Sequence, residues 1–259
     1  MTNFEGKFCW VDLTTTNLEA SKKFYGELFG WRFEEEKTPE GGTYSTAHVG
    51  DKGIAGIVEQ PKASQGGKST WNSYFSVKNL EAFAEKATRY GATTIVPRKN
   101  IGTYGALSVL QDPAGAYFCT WESAGDPNVE GEYMSEKPGY MAWVELATRD
   151  LDRAGKFYSE VFDFSPESMN MGGDSQPYFL FKHDQKPQAG LMGMPKEMPD
   201  NLPSHWMNHV SVENCDRSLE KATQMGAKTL YGPQDIPNMG RFATIQDPQG
   251  AVISIFAKQ

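Results

Sequence analysis

The sequence predicts an α+β fold that is written twice, as four modules that each run strand, helix and then three strands. The first observation is an internal repeat: the run Trp-Val-Asp-Leu at 10–13 returns as Trp-Val-Glu-Leu at 143–146, an offset of 133. The second is its extent, since 18 of 52 positions are identical between 71–122 and 206–257. Unrelated sequences of average composition would match at roughly 6% of positions. The two halves are therefore expected to carry equivalent folds.

The first module shows how each element is predicted. Apolar alternation over 8–13 is typical of a strand. Asn17 is expected to cap a helix whose apolar positions recur at helical spacing, and Gly30 is expected to end it. The helical apolar positions are Leu18, Phe24, Tyr25, Leu28 and Phe29. Short segments at 44–49 and 54–58, separated by glycine turns, are expected to be strands.

The other three modules repeat this order. In module two a strand at 74–77 precedes the cap Asn79, the helix stops at Gly91, and two strands flank the turn Asp112-Pro113-Ala114-Gly115. Modules three and four follow with Asp150 and Asn214 as caps. Residues 125–137 lack periodicity and are rich in Gly, Pro and acids, which predicts a linker between a first domain at 1–124 and a second at 138–259.

Composition restricts the classes of partner. A net charge of −8 and an isoelectric point near 5.1 argue against nucleic acid and against anionic membrane surfaces. No apolar run is long enough to span a bilayer, and the first residues do not resemble a signal peptide, so a cytoplasmic location is expected. Cys9, Cys119 and Cys215 have no metal-type spacing and are expected to be free, buried side chains.

These motifs resemble those of the vicinal-oxygen-chelate superfamily of glyoxalases, bleomycin-resistance proteins and extradiol dioxygenases. The resemblance rests on the capped helix with Phe24-Tyr25 followed about 85 residues later by Asp-Pro-x-Gly, and it covers both halves. It is closest to tandem-repeat members such as the mycobacterial antigen-type glyoxalase-like proteins, through the run at 10–13, Trp-Asn-Ser-Tyr at 71–74 and the segment 236–242. It implies that βαβββ modules pair into two half-open β cups, each around a cavity.

The resemblance also implies where metal ligands would stand. Counting from the helix caps and the Asp-Pro-x-Gly turns, those positions hold Trp10, Asn72 and Cys119 in the first half and Trp143, Met207 and Ser254 in the second. At the remaining position, near 57–59 and 191–193, Glu59 is the one candidate. Trp and Met side chains do not bind a hard divalent ion, and Asn and Ser are poor substitutes for imidazole and carboxylate, so we expect no metal site and no cofactor.

Alternate residues on a strand share a face, so the residue two positions further along each strand is expected to line the cup as well. The first cup is expected to be lined by Trp10, Asp12, Asn72, Tyr74, Cys119 and Trp121, and the second by Trp143, Glu145, Met207, His209, Ser254 and Phe256. Aromatic walls with one acid suit a partly apolar small molecule, whose planar or cationic part could stack and whose amine could bind the carboxylate. The alternative is that the tryptophans simply fill the cups.

The acids and histidines leave an enzymatic alternative open. Arg241 is a candidate partner for Glu145, and His209 shares its predicted face with Glu145, so this pair could act as catalytic acid and base. His48, His183 and His205 are expected to be solvated, in or beside loops. Tyr44 and Tyr178 are paired across the repeat without an assigned role.

Three functions therefore remain. The leading prediction is a metal-independent small-molecule binding protein with an aromatic-walled pocket in each half. The second is an enzyme of the lyase, isomerase or oxidoreductase type that uses Glu145 and His209, with or without a metal ion in an unusual position. The third is an interaction protein with filled cups. The expected partner is a partly aromatic or cationic small molecule, and the protein is expected to be a monomer or a homodimer.

Overall fold

The computed structural model describes residues 6–38, 41–60, 67–125, 134–170, 177–195 and 198–259. Module one consists of β1 (Phe8–Thr15), α1 (Leu18–Phe29), β2 (Arg32–Lys37), β3 (Thr43–Val49) and β4 (Lys52–Glu59). Module two consists of β5 (Thr70–Ser76), α2 (Leu80–Arg89), β6 (Thr93–Ile101), β7 (Gly105–Gln111) and β8 (Tyr117–Ser123). Module three consists of β9 (Met141–Thr148), α3 (Leu151–Phe162), β10 (Ser165–Met169), β11 (Tyr178–His183) and β12 (Lys186–Gly193). Module four consists of β13 (His205–Ser211), α4 (Cys215–Gln224), β14 (Lys228–Ile236), β15 (Gly240–Gln246) and β16 (Val252–Lys258).

Each half of the sequence forms one eight-stranded mixed sheet, with the orders β2-β3-β4-β1-β5-β8-β7-β6 and β10-β11-β12-β9-β13-β16-β15-β14. The pairs β1–β4, β5–β8, β9–β12 and β13–β16 are parallel, because the helix and two strands lie between the paired strands in the chain. The predicted α+β class with four βαβββ modules is confirmed. In the described part of the chain, no helix is long and apolar enough to cross a bilayer.

The four predicted helix caps are confirmed. The side chains of Asn17, Asn79, Asp150 and Asn214 each accept a hydrogen bond from the backbone N–H three residues later, at 2.7–3.0 Å. This satisfies an amide that a helix leaves without an internal partner. Gly30 ends α1 in the left-handed conformation, with φ of 75°.

Packing divides the chain into two compact units that differ from the two sequence halves. Unit 1 comprises Met1–Cys9, Ser73–Glu132 and Val144–Trp206, and unit 2 comprises Trp10–Asn72, Tyr133–Trp143 and Met207–Gln259. Each unit therefore draws segments from both halves, with α2 against α3 in unit 1 and α1 against α4 in unit 2. The domain limits 1–124 and 138–259 stay a prediction, and most of the predicted linker, 126–133, lies outside the described residues.

A buried Trp–Tyr–Asp chain of hydrogen bonds holds each unit together. In unit 2, the Trp71 indole donates to the Tyr25 hydroxyl at 3.0 Å, and that hydroxyl donates to Asp247 at 2.7 Å. In unit 1, Trp206 donates to Tyr158 at 3.0 Å, and Tyr158 donates to Asp112 at 2.9 Å. In both chains the tyrosine and the aspartate come from different halves of the sequence. The repeated Phe-Tyr and Asp-Pro motifs are therefore two ends of one contact.

The aspartates of these chains also shape the Asp-Pro-x-Gly turns. One carboxylate oxygen of Asp112 accepts from the backbone N–H groups of Ala114 and Ala116, and Asp247 repeats this with Gln249 and Ala251. Burial raises the pKa of both carboxyls, although the hydrogen bonds act in the opposite direction. Burial also raises the pKa of the Tyr25 and Tyr158 hydroxyls well above the usual value.

Candidate functional site

In module one, Trp10 and Asp12 lie on one face of β1, and each is held by a hydrogen bond within unit 2. The Trp10 indole N–H donates to the Tyr44 hydroxyl at 2.8 Å. The side-chain amide of Asn72 donates to Asp12 at 2.8 Å and to Thr14 at 3.1 Å. Asp12 is only 7% exposed, so this bond offsets part of the cost of burying its charge.

Further acids share this face of the sheet. Asp12 stands beside Gly56, Gly56 beside Thr46, and Thr46 beside Glu34. The side chains of Asp12, Thr46 and Glu34 therefore lie on the same side of the sheet. Glu36 stands beside Tyr44 and lies on that side as well. A hydrogen bond from Arg32 and the nearby His48 keep the pKa of Glu34 below its usual value. The face around Trp10 is therefore rich in carboxylates.

Module three keeps the residue types but changes the hydrogen bond. The Tyr178 hydroxyl donates to Glu145 at 2.8 Å, within unit 1. Glu145 stands beside Gly190, Gly190 beside Leu180, and Tyr178 beside Met192 and Met169. Lys182 on the same face is paired with Glu167 at 2.6 Å. This face is more apolar than its counterpart in module one and holds Glu145 on a tyrosine.

The expectation that Arg241 is the partner of Glu145 is wrong. The Arg241 guanidinium binds Asp216 at 3.0 Å and Asp235 at 2.9 Å, both within unit 2. These neighbours raise the pKa of Arg241 further above its usual value. Glu145 and Arg241 are 96 residues apart, and nothing in the sequence favoured Glu145 over the nearer acids Asp216 and Asp235 as the partner of Arg241.

Two glycines explain the paired tyrosines. A methyl group on Gly56 would overlap the Tyr44 hydroxyl, and one on Gly190 would overlap that of Tyr178. Both tyrosine rings therefore cross the neighbouring strand at a residue without a side chain. The signal was present in the sequence, because Tyr44 and Gly56 share the offset of 134 with Tyr178 and Gly190. Their contact nevertheless required knowledge of the register between β3 and β4 and between β11 and β12.

The remaining predicted lining of the first half lies in unit 1. Tyr74 on β5 stands beside Cys119 on β8, and Ser76 stands beside Trp121. Tyr74 and Cys119 are buried, and Trp121 is half-buried. The Trp121 indole nitrogen is buried and has no hydrogen-bond partner within the described residues. A ligand oxygen could accept from it.

The corresponding lining of the second half lies in unit 2. His209 on β13 stands beside Ser254 on β16, and the Ser254 hydroxyl is 2.8 Å from that of Thr244. The His209 ring lies 6.3 Å from Phe242, which in turn lies 5.6 Å from Tyr231. Sequence reasoning missed Phe242 and Tyr231, because their faces depend on the irregular register of β14 with β15. Trp143, Met207 and Phe256 are half-buried.

Glu145 and His209 lie in different units, with Glu145 in unit 1 and His209 in unit 2. Their action as a catalytic pair stays a prediction.

The histidine expectations are partly wrong. His183, the last residue of β11, is 9% exposed and packs beside Phe164 instead of being solvated. His48 lies within β3, with a side chain 12% exposed. His205 begins β13 and is half-buried. All three cysteines are free and buried, as predicted.

The donor atoms at the family's metal positions do not suit a divalent ion. The Trp10 indole is a donor and points its N–H at Tyr44, the Asn72 amide donates to Asp12, and the Ser254 hydroxyl is paired with Thr244. Glu59 is exposed at the end of β4. Over the ranges that the structure describes, no three His, Cys, Asp or Glu side chains are grouped to hold an ion. The residues present therefore do not fit the metal that the resemblance implies.

Two mixed sheets built from βαβββ modules, with matched sites on their strands, define a tandem protein of the glyoxalase fold. The chain belongs to the Glyoxalase/Bleomycin resistance protein/Dioxygenase superfamily, which matches residues 7–120 and again residues 140–255. The predicted resemblance is thereby confirmed.

Among its relatives is CFP32 of Mycobacterium bovis, which is 35% identical over 95% of this chain and 92% of its own. The anthracycline biosynthesis protein DauV of a Streptomyces species is 29% identical over 98% of this chain and 94% of its own.

Solved structures with the same fold include enzymes. The 2,3-dioxygenase LapB of Pseudomonas has a TM-score of 0.63 with 17% identity, covering 98% of this chain and 93% of that one. The Mn(II)-bound glyoxalase of Novosphingobium aromaticivorans has a TM-score of 0.61 with 13% identity, covering 99% of this chain and 83% of that one. At these identities the likeness shows the fold alone.

Proposed function

We propose that this protein binds small, partly aromatic cations without a metal ion. The observation that carries the proposal is the face of module one, where the Trp10–Tyr44 pair stands among the carboxylates of Asp12, Glu34 and Glu36. An indole face and a carboxylate both attract a cation, and an aromatic body adds stacking and apolar contact. In the second half Glu145 would supply the charge, on a face with more apolar side chains.

The hydrogen bonds that the side chains already make support metal independence. Trp10 and Asn72 stand where the family's ligands would stand, and both use their N–H groups as donors to neighbouring side chains. A donor N–H has no lone pair to offer an ion. The carboxylates on the same face can attract an organic cation by charge, which needs no fixed coordination geometry.

Matched probes test the choice of ligand. N-methylquinolinium carries a planar ring and a fixed positive charge, whereas quinoline has nearly the same shape and is neutral at pH 7. We expect calorimetry to detect binding of the cation. Quinoline should bind at least about tenfold more weakly, because it lacks the charge that the carboxylates attract; a tenfold change in affinity corresponds to about 1.4 kcal/mol. Prior treatment with EDTA, and later addition of Mn²⁺ or Fe²⁺, should leave the affinity unchanged.

Variants assign the binding to the proposed face. Asp12→Asn should weaken N-methylquinolinium about tenfold, whereas the control Asp51→Asn, in an exposed turn, should not. If the ligand quenches tryptophan fluorescence, the quenching should be lost in Trp10→Phe when the first half binds it and in Trp143→Phe when the second half does. The proposal fails if affinity appears only after metal is added. A protein that binds neither probe would instead support filled cups and a role in protein interaction.

A second candidate function rests on the Tyr178–Glu145 pair. A carboxylate that accepts a tyrosine hydroxyl can act as a general base while the hydroxyl stabilises a developing enolate, as in a lyase or isomerase. Incubation with dihydroxyacetone in D2O would report C–H exchange by NMR. We expect Glu145→Gln to abolish any such exchange while Asp12→Asn retains it, and absence of exchange in the wild-type protein would remove this candidate.

A further inference from the structure

A separate cavity of about 240 Å³ lies wholly within unit 1 and shares no lining residue with the faces around Trp10 and Glu145. It is formed by the start of α2, the end of α3 and the last residue of β11. Its walls combine three kinds of group: two lysines, stacked aromatic rings and one histidine. The lining residues used below are Lys78, Phe83, Lys86, Phe162, Asp163 and His183.

The histidine is the unusual member of this set. His183 is 9% exposed, and neither of its ring nitrogens has a hydrogen-bond partner within the described residues. The nearest carboxylate oxygen, on Asp184, is 3.6 Å from Nε2, beyond hydrogen-bond distance. Burying such a group without a partner costs about 1–3 kcal/mol. A ligand that hydrogen-bonds to the ring would recover that cost.

The repeat supplies an internal reference for this cavity. Val49 occupies the position in unit 2 that matches His183, at the offset of 134, and it packs against Gly139. Lys86 and Lys221 are matched as well, and each donates to a carbonyl at the end of the helix beside it. Unit 2 thus has an apolar side chain where unit 1 has an imidazole, and it also has Glu213 and Ser218 at the positions of Lys78 and Phe83.

We propose that the cavity binds a small organic carboxylate with an apolar or aromatic body. The Phe83 and Phe162 rings stack at 4.9 Å and offer an apolar wall. Lys78 and Lys86 bring positive charge to the rim, and the His183 ring lines the cavity with two nitrogens that lack a hydrogen-bond partner within the described residues. Asp163 opposes an anion, but it is 80% exposed and 3.7 Å from Lys86, so water screens its charge.

The volume restricts the size of the ligand. Pockets for drug-sized molecules measure roughly 300–1,000 Å³, so about 240 Å³ suits a single ring with one short substituent. Benzoate is therefore the probe, with benzyl alcohol and benzylamine as neutral and cationic counterparts of similar shape. All three share the ring, so a difference among them reports the charge of the site.

The test combines thermal unfolding with NMR of the histidine rings in the full-length protein. Benzoate should raise the Tm and shift the Cε1–H resonance of His183, whereas the alcohol and the amine should do neither. His183→Val, which installs the residue of the other unit, should weaken benzoate at least about tenfold and raise the Tm of the ligand-free protein. His183→Gln should keep part of the binding, because the amide can still donate a hydrogen bond.

His205→Gln, at a half-buried histidine of the same unit, is the matched control and should bind benzoate like the wild type. The proposal is overturned if benzoate has no effect on the wild-type protein, or if its effect is the same in His183→Val. A lower Tm for ligand-free His183→Val with unchanged benzoate binding would assign His183 a purely structural role. These outcomes are independent of binding at the Trp10 face.

Discussion

Tyr44 and Tyr178 occupy matched places in the two halves, each over a matched glycine, yet their hydroxyl groups make different hydrogen bonds. Tyr44 accepts from the Trp10 indole, whereas Tyr178 donates to Glu145. Two substitutions accompany the change. Asp12 is one methylene shorter than Glu145, and Asn72, which donates to Asp12, is replaced by Met207. The length of the acidic side chain and the donors near it therefore decide which hydrogen bond it accepts.

The Trp–Tyr–Asp chains teach the opposite lesson, because the same three residue types make the same bonds in both units. Those chains are fully buried, where an unsatisfied hydroxyl or carboxylate is costly, so divergence is restricted. The faces around Trp10 and Glu145 are only partly buried, and water or a ligand can satisfy a group that changes its partner. The difference between the halves is therefore greatest where we propose that ligands bind.

The largest expected effect comes from filling the space above the two glycines. Gly56→Ala and Gly190→Ala should each lower the free energy of unfolding by about 1–3 kcal/mol, because the tyrosine hydroxyl must move. Gly190→Ala should cost more, since its methyl group would also lie 2.9 Å from Cβ of Glu145. Urea denaturation measures both. Equal costs would argue that the contact with Cβ of Glu145 adds no penalty.

Removing one hydroxyl from each buried chain should have the next largest effect. Tyr25→Phe and Tyr158→Phe should each lower the unfolding free energy by about 2 kcal/mol, because an indole N–H and a carboxylate lose their shared partner. The two losses should agree within about 0.5 kcal/mol by the same denaturation assay. A markedly smaller loss for one variant would contradict the equivalence of the two chains.

A double-mutant cycle would convert the first half toward the second. Asn72→Met should cost about 1–2 kcal/mol, because it removes the donor from Asp12. Asp12→Glu added to Asn72→Met should recover part of that cost, since the longer acid can reach Tyr44 as Glu145 reaches Tyr178. The Trp10 indole N–H resonance should shift only in the double variant. Strictly additive costs would show that the length of the acid at position 12 and the donor at position 72 affect stability independently.

The smallest expected effect is on the pH dependence of stability. Because the pKa of Asp112 and that of Asp247 are raised on folding, the native state binds protons more tightly than the unfolded chain. Stability should therefore fall as pH rises from about 3.9, the unperturbed value for Asp, through the raised folded values, and then level off. Asp112→Asn and Asp247→Asn should each remove a similar part of this fall, measured by urea denaturation across that range. A steeper fall in either variant would contradict the assigned direction.

Sequence patterns predicted the local structure well, because caps and apolar periodicity are decided within a few residues. Asn17, Asn79, Asp150 and Asn214 all cap helices as expected. What the patterns could not predict were partners distant in sequence, such as Asp216 for Arg241 or Tyr178 for Glu145. His183 was missed for a related reason: its place at the end of a strand suggested solvent, and its burial depends on α2 and α3.

The two units differ in how far apart in the sequence their hydrogen-bonded tyrosine and aspartate lie. Tyr158 and Asp112 are 46 residues apart, whereas Tyr25 and Asp247 are 222 apart. Closing the longer loop costs about 1.4 kcal/mol more in chain entropy, from the logarithm of the ratio of the two lengths. Chains leave the ribosome N-terminus first. The Trp–Tyr–Asp chain of unit 1 can therefore form during translation, while Tyr25 and Trp71 wait without their carboxylate until residue 247 has emerged.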